Sequence, residues 1–464
     1  MKENVPQDNI PIFSFVMGTA FIAFLCGVII VEYKIFPYSF FKKARQGVEA
    51  LVNQQSSTPD PKSLHTFPLR SNLKDKNGGV TVFDRKKSYQ GYTLFTAYDG
   101  QKCTNLLIDM EGNLIQEWYI KYSDVWGKKA PFLDKQLGDE WTCWQGTQLL
   151  PNGELVATFI DNGRPYCGGL VKLDLNSNVV WSLPKCTHHD VHLGNDGLFY
   201  VPGMYLLQEK GKDNGIQRYL TPVTFPDLPA SVTFWKKPIL KDVVIVTSPD
   251  GEFLEEIPLL DAFAKSDYSW SFNKSFRSPK HASGDFDPTH LNDVELITEQ
   301  WAKYHPKVES GDLMVSVRNI NAIAIIDRQT KLVKWLTRDL FSQQHDPDLL
   351  SNGNILIFDN WGKVNSEVGA TRIIELDPKT QEIVWEYAGT KERPLHAIFR
   401  GSQQPLPNGN ILITESTGGR ILEVNRDKEI VWEYVNKLND DRVGVVIRAQ
   451  RFAPKSLSFV GVAE

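Results

Sequence analysis

The chain has 464 residues, 41% hydrophobic and 23% charged, with a formal net charge of −5. This is a globular profile with ample material for a core, and an acidic balance with no basic cluster in the large domain argues against nucleic acid as a partner. The length alone would permit two or three domains, although an all-β barrel or propeller can run this long as one unit.

Residues 1–9 form a short tail. From Ile10 to Val31 the chain carries no charged residue, and this apolar run is long enough to cross a hydrocarbon core of about 30 Å as a helix. A transmembrane helix is therefore expected over 10–31. A cleaved signal peptide fits less well, because Val31-Glu32-Tyr33 offers no small-x-small site. Residues 32–78 read as a juxtamembrane helix rich in aromatic and basic residues, then a polar linker (NQQSSTPDPKS) that cannot bury a core. The folded domain is expected over 79–464.

Of five cysteines, Cys26 lies in the apolar run, while Cys103, Cys143, Cys167 and Cys186 fall in the first half of the remainder. Four thiols in one region allow two disulfides in three pairings, which would suit an oxidising compartment; four unpaired buried thiols is the competing reading. None is spaced C-x-x-C, which argues against a zinc or thioredoxin-like motif.

From Gly79 onward the chain repeats. LLPNGELVATF leads to Trp181, LLSNGNILIFDN to Trp385 and PLPNGNILITES to Trp432, with weaker copies ending at Trp118 and Trp335 and another from His189 to about Pro258. Asn-Gly between alternating apolar runs is a hairpin signal, since both central residues must tolerate positive φ. A period of roughly 45 to 50 residues with several short strands per unit is the mark of a β-propeller. Six units are counted, so the expected fold class is all-β, a six-bladed β-propeller preceded by an N-terminal transmembrane helix. The repeated tryptophans read as blade-to-blade packing. The final strand-like segment VGVVIRAQRF would complete the blade begun near the domain's start and fasten the ring.

Aligning the repeats by their turns brings out the candidate site. His345 lies eight residues before Gly353 and His189 eight before Gly197, and Gln145 and Gly401 occupy the same register. His290 has a longer loop, but like the other two it is followed four residues later by an apolar residue. Equivalent positions in a propeller share radius and height, so the three histidines should converge on the axis. Arg318 ends a strand in the same unit as His290, where its planar fork of donors would suit an oxyanion; a rim salt bridge is its bland alternative. Asn292 and Asn319 flank the site as candidate substrate-binding residues. His65, His188, His192, His281, His305 and His396 do not share the register and are taken as structural or exposed. Three histidines also invite zinc, with Asp190 and Asp346 as supporting partners, but Arg318 would oppose a nearby cation.

These residues resemble the arylsulfotransferase family, the sulfotransferases that use no nucleotide-activated donor. The likeness spans nearly the whole domain: GVTVFD and GYTLFTAY at its start, HHDV around His189, HLND around His290, SVRN with Arg318, QHD with His345 and FDN after it, then GRILEV, VWEY and RAQRF. It implies a six-bladed propeller and a ping-pong transfer of a sulfuryl group from an aryl sulfate to a phenol. His345 would be the nucleophile, with His290, Arg318 and His189 holding sulfuryl oxygens or serving the phenolic oxygens as acid and base. No cofactor and no metal are implied. The expected partners are aryl sulfates, phenols, a membrane through one helix and, by self-association, further copies of the chain.

The departures are the N-terminal anchor with its linker and a long insertion around Tyr205 to Trp235, which bear on substrate more than on chemistry. A metal-dependent hydrolase-type propeller and a non-catalytic membrane-anchored binding propeller are the alternatives. Lys34, Lys42, Lys43 and Arg45 after the span favour a cytoplasmic domain by the positive-inside rule. The clustered cysteines and the family resemblance favour a periplasmic or other extracytoplasmic face, which is the expectation adopted.

Overall fold

The computed structural model describes residues 17–19, 21, 23–25, 27–28, 32, 61–70, 77–133, 136, 138–161, 165–207, 239–272, 287–363 and 368–461. Two compact units divide the chain, residues 1–60 and 61–464. In the first, the described residues of the apolar run are helical. Among the described residues no helix is long and apolar enough to cross a membrane. The rest of the expected span lies outside them, as do most of the expected juxtamembrane helix and nearly all of the insertion from Tyr205 to Trp235.

The second unit is a ring of six antiparallel sheets. Blade two comprises Thr142–Leu149, Leu155–Asp161, Leu170–Leu173 and Val179–Leu183. Blade three comprises His192–Leu193, Phe199–Leu207, Ile239–Thr247 and Phe253–Pro258, and blade four Leu291–Leu296, Leu313–Val317, Ala322–Ile326 and Val333–Arg338. Blade five comprises His345–Leu349, Ile355–Asp359, Arg372–Asp377 and Glu382–Tyr387. Blade six comprises Ser402–Pro405, Ile411–Glu415, Arg420–Val424 and Ile430–Val435, with Gly79–Phe83 added outside as a fifth strand.

Blade one closes the ring. Its inner strand is the chain's last, Val446–Phe452, paired with Tyr92–Tyr98, and Cys103–Ile108 and Leu114–Trp118 follow outward. The fastening expected of the C-terminal segment is therefore present. The unit's start differs from expectation. It begins at Pro61 rather than Gly79, because Thr66–Pro68 pairs with Arg442–Gly444 and so belongs to the sheet structure, not to a linker.

Burial follows position in the blade. Leu313–Val317 and Ala322–Ile326 are buried throughout, because a middle strand has a neighbouring blade against each face. The outer strand Glu382–Tyr387 is exposed over its first half and reads correspondingly mixed. Apolar clusters lie between blades: Leu107 with Trp144 and Leu155 joins one to two, and Phe95 with Ile421 and Trp432 joins six to one. The tryptophans bridge as expected. The indole N–H of Trp181 donates to Pro249 O, that of Trp385 to Arg426 O and that of Trp432 to Met110 O, each on the following blade. Trp432 is fully buried, and truncating it to alanine would cost about 3–5 kcal/mol.

Candidate active site

Each of the six blades delivers a side chain to one pocket, from its inner strand or from the segment just ahead of it. The residues are Gln145 from blade two, His189 just ahead of blade three's inner strand, Asn292 from blade four, His345 from blade five, Arg400 just ahead of blade six's and Arg448 from blade one. They line a small pocket with Asp346, Gly401, Ser402 and Ile447. The pairing register slips on four inner strands, between Trp144 and Thr147, Leu291 and Asp293, His345 and Asp348, and Val446 and Ala449. A bulge re-aims the residues it spans. Those spanned here include Gln145, Asn292, Asp346 and Arg448. Gly146 in one bulge lies so near blade three that a Cβ would stand 2.6 Å from Asp190 Cα.

Backbone strain marks the same ring. His189, His290, Asp346 and Arg400 adopt left-handed conformations, with φ of 61°, 52°, 49° and 59°. Each costs a non-glycine residue about 1–2 kcal/mol, and such residues cluster where a site needs its side chains aimed.

The three histidines in register do converge. The ring of His189 lies 5.0 Å from that of His290 and 6.2 Å from that of His345. His345 Nδ1 is 2.8 Å from Asn360 Oδ1. The Asn360 amide nitrogen donates to Ala397 O and Arg400 O, so its oxygen must accept from His345. The proton therefore sits on Nδ1, and the Nε2 lone pair is free for chemistry. Burial, and then the Arg318 charge, lower the His345 pKa to about 3, so the ring is neutral near pH 7.

His290 is braced differently. Its Nδ1 lies 2.5 Å from Asp287 Oδ2 and its N–H donates to Asp287 Oδ1. The Tyr166 hydroxyl donates to Asp287 Oδ2, sits 3.0 Å from His290 Nδ1, and its ring stacks on the imidazole. Burial first, with Asp287 adding to it, holds that phenol in its protonated form. His189 Nδ1 lies 2.6 Å from His188 Nδ1, and its N–H donates to Gln145 Oε1. Burial and then the neighbouring His188 keep His189 neutral. Disulfide Cys167–Cys186 ties the Tyr166 loop to the His188–His189 loop, and Cys103–Cys143 joins blades one and two. Of the three open pairings this is the one formed, and none of the four thiols is free.

Arg318 follows the strand Leu313–Val317, its N–H donating to His290 O. Its guanidinium donates to Asn319 Oδ1 and Gln343 Oε1. Among the described residues it meets no carboxylate in an ion pair, so the rim salt bridge weighed for it is not what holds it. Asn319 in turn donates to Asp287 O, steadying both Arg318 and the His290 brace. Asn292 lines the cavity and donates to Gln344 O. Asp190 and Asp346, weighed as supports for a metal, instead pair with Arg448. Among the described residues the grouping of three metal-type ligands within 4.8 Å of one another is His65, Cys103 and Cys143, whose sulfurs are joined in the disulfide. His188, taken as structural, is buried against His189 and belongs to the site.

Sequence reasoning missed Tyr166, Asp287, Arg400 and Arg448. Arg400 stood one residue before the register position at Gly401, and Arg448 lay in a bulge that no turn marks. Asn360 was visible only as part of the FDN motif.

A family model described as Arylsulfotransferase (ASST) matches residues 146–437. No curated protein matches. Among solved structures, a protein of unknown function from Bacteroides caccae is 10% identical, covering 77% of this chain and 99% of its own at a TM-score of 0.45. Selenomethionine-substituted virginiamycin B lyase from Staphylococcus aureus is 11% identical, covering 82% and 98% at 0.35. A chain of a nidogen/laminin complex is 9% identical, covering 78% and 99% at 0.41. Likeness at this level says nothing about the site.

Proposed function

The chain belongs to the arylsulfotransferase family, and from that premise we propose that it transfers a sulfuryl group from an aryl sulfate to a phenol through a sulfohistidine at His345. The observation that carries the proposal is a neutral imidazole, fixed through Nδ1 by Asn360, beside a guanidinium that meets no ion-paired carboxylate among the described residues. A neutral ring is the nucleophilic form, and a cation not engaged in an ion pair suits the charge that spreads over a transferring sulfuryl group.

In the first half-reaction the Nε2 lone pair of His345 attacks sulfur. The N–S bond forms, the S–O bond to the aryl group breaks, and the electron pair leaves on the phenolic oxygen, which takes a proton from His290. In the second half, His290 takes the proton of the acceptor phenol. Its oxygen attacks sulfur, and the N–S pair returns to His345. The Asp287 brace suits His290 to this acid and base work, as a carboxylate orients an imidazole in acyl-transfer triads. Arg318 and His189 hold sulfuryl oxygens.

Rapid mixing with 4-nitrophenyl sulfate tests the scheme. One equivalent of nitrophenolate should appear in a burst, followed by a steady rate that rises with added phenol. A steady state with no burst at any acceptor concentration, and initial-rate lines that intersect rather than run parallel, would contradict it.

We further infer that the propeller lies on an extracytoplasmic face, held by the apolar segment of residues 10–31. The support is chemical: two disulfides persist best outside a reducing cytoplasm. An alkaline phosphatase fusion at the C-terminus should be active; an inactive fusion beside an active cytoplasmic reporter would reverse the orientation.

A further inference from the structure

Two arginines line the cavity beside His345, and they differ in one respect. Arg448 is neutralised by Asp190 and Asp346. Among the described residues Arg400 has no ion pair, and its Nη1 is sealed from solvent with no protein partner. Phe399 lies with its ring 5.8 Å from the Arg400 guanidinium, a cation–π contact that carries no neutralising charge. Burial lowers its pKa only to about 10, so the guanidinium stays charged at neutral pH.

Nothing in the fold requires a cation there. A buried ion without a partner is costly, and the residue also bears a left-handed backbone that glycine would adopt without strain. The Asn360 amide that fixes His345 Nδ1 also donates to Arg400 O at 2.7 Å. Nucleophile and arginine are thus set by one side chain.

We propose that Arg400 is a catalytic residue whose guanidinium binds an oxygen of the sulfuryl group while that group is on His345, completing a two-arginine clamp with Arg318. This rests on the sulfuryl-transfer reading above. The cavity then lacks only an oxyanion, and the acids Asp190 and Asp346 are kept from filling that place by their hold on Arg448.

The test is Arg400→Gly, with Arg400→Asn as a second variant that also accepts the left-handed backbone and Arg400→Lys to restore charge. Two readouts are needed: turnover of 4-nitrophenyl sulfate, and equilibrium binding of inorganic sulfate in the absence of any donor. The glycine and asparagine variants should melt no lower than the wild type yet lose about 10²-fold in turnover. They should also bind sulfate at least about tenfold more weakly, and lysine should recover part of both losses. Wild-type turnover and sulfate affinity in a folded glycine or asparagine variant would overturn the proposal. Sulfate binding is read without turnover, so its loss on Arg400→Gly would support the anion role even if the wild type formed no sulfo-enzyme, a failure that would belong to the proposed function alone.

Discussion

Two neighbouring stretches of the axis carry opposite imbalances of charge. Around His345, Arg318 and Arg400 meet no ion-paired carboxylate among the described residues, and burial holds His345 and His189 neutral. One to five residues further along the chain from the site histidines, Asp190, Asp293, Glu295, Asp346 and Asp348 act on Arg448. There burial, reinforced by neighbouring carboxylates, raises the pKa of Asp293 and Asp348, so the cage settles its surplus by holding protons. Asp348 and Asp346 also accept from Gln403. The charge of Arg448 is met by the carboxylates of the cage, whereas the arginines of the neighbouring ring meet no ion-paired carboxylate among the described residues. That difference separates a site that awaits a substrate from a structural plug, although both are clusters of buried ionisable groups.

The largest effect should come from the ring. His345→Ala should lower sulfuryl transfer by on the order of 10⁴-fold or more, as loss of a covalent nucleophile does, with the melting temperature retained. Near-normal turnover of 4-nitrophenyl sulfate by this variant would remove the nucleophile from the account. Arg318→Ala should cost about 10²–10³ in kcat, about 3–4 kcal/mol, the scale of one lost oxyanion donor. If KM alone changed, Arg318 would be a ground-state binder instead.

The smallest effect separates the two stretches by the sign of their pH dependence. Glu295 has its pKa raised from 4.5 to about 8, chiefly by burial. A raised pKa contributes stability that is full below pH 4.5 and is lost as pH rises towards 8. His345 is depressed from 6.5 to about 3, so its contribution is present above pH 6.5 and lost as pH falls towards 3. Glu295→Gln should therefore flatten the loss of stability between pH 4.5 and 8 by roughly 1–3 kcal/mol, measured by urea unfolding across that range, and leave kcat unchanged. An unaltered pH slope with reduced kcat would mean that the cage takes part in the chemistry.

What could be read from the sequence followed from periodicity. Asn-Gly turns recur at a fixed offset, so blade number, ring closure and the shared register of His189 and His345 were all legible. Contacts across blades were not. Tyr166 meets His290 across 124 residues, and it also donates to Asp287, which lies three residues before that histidine. Arg448 reaches Asp190 across 258 residues and only because a bulge turns it inward. Asp190 and Asp346 looked like partners for histidine because adjacency in sequence suggested it; both instead meet Arg448, Asp346 from a bulge and Asp190 from the segment ahead of blade three's inner strand. The expectation of an anchor over residues 10–31 came from composition, and the proposed orientation rests on the chemistry of the disulfides.

Mass spectrometry of the enzyme, quenched after brief exposure to 4-nitrophenyl sulfate without acceptor, addresses the central claim most directly. One sulfuryl group should be found on the peptide containing His345, discharged by added phenol and absent from His345→Ala. A sulfuryl group on any other residue, or turnover with no adduct at all, would contradict it.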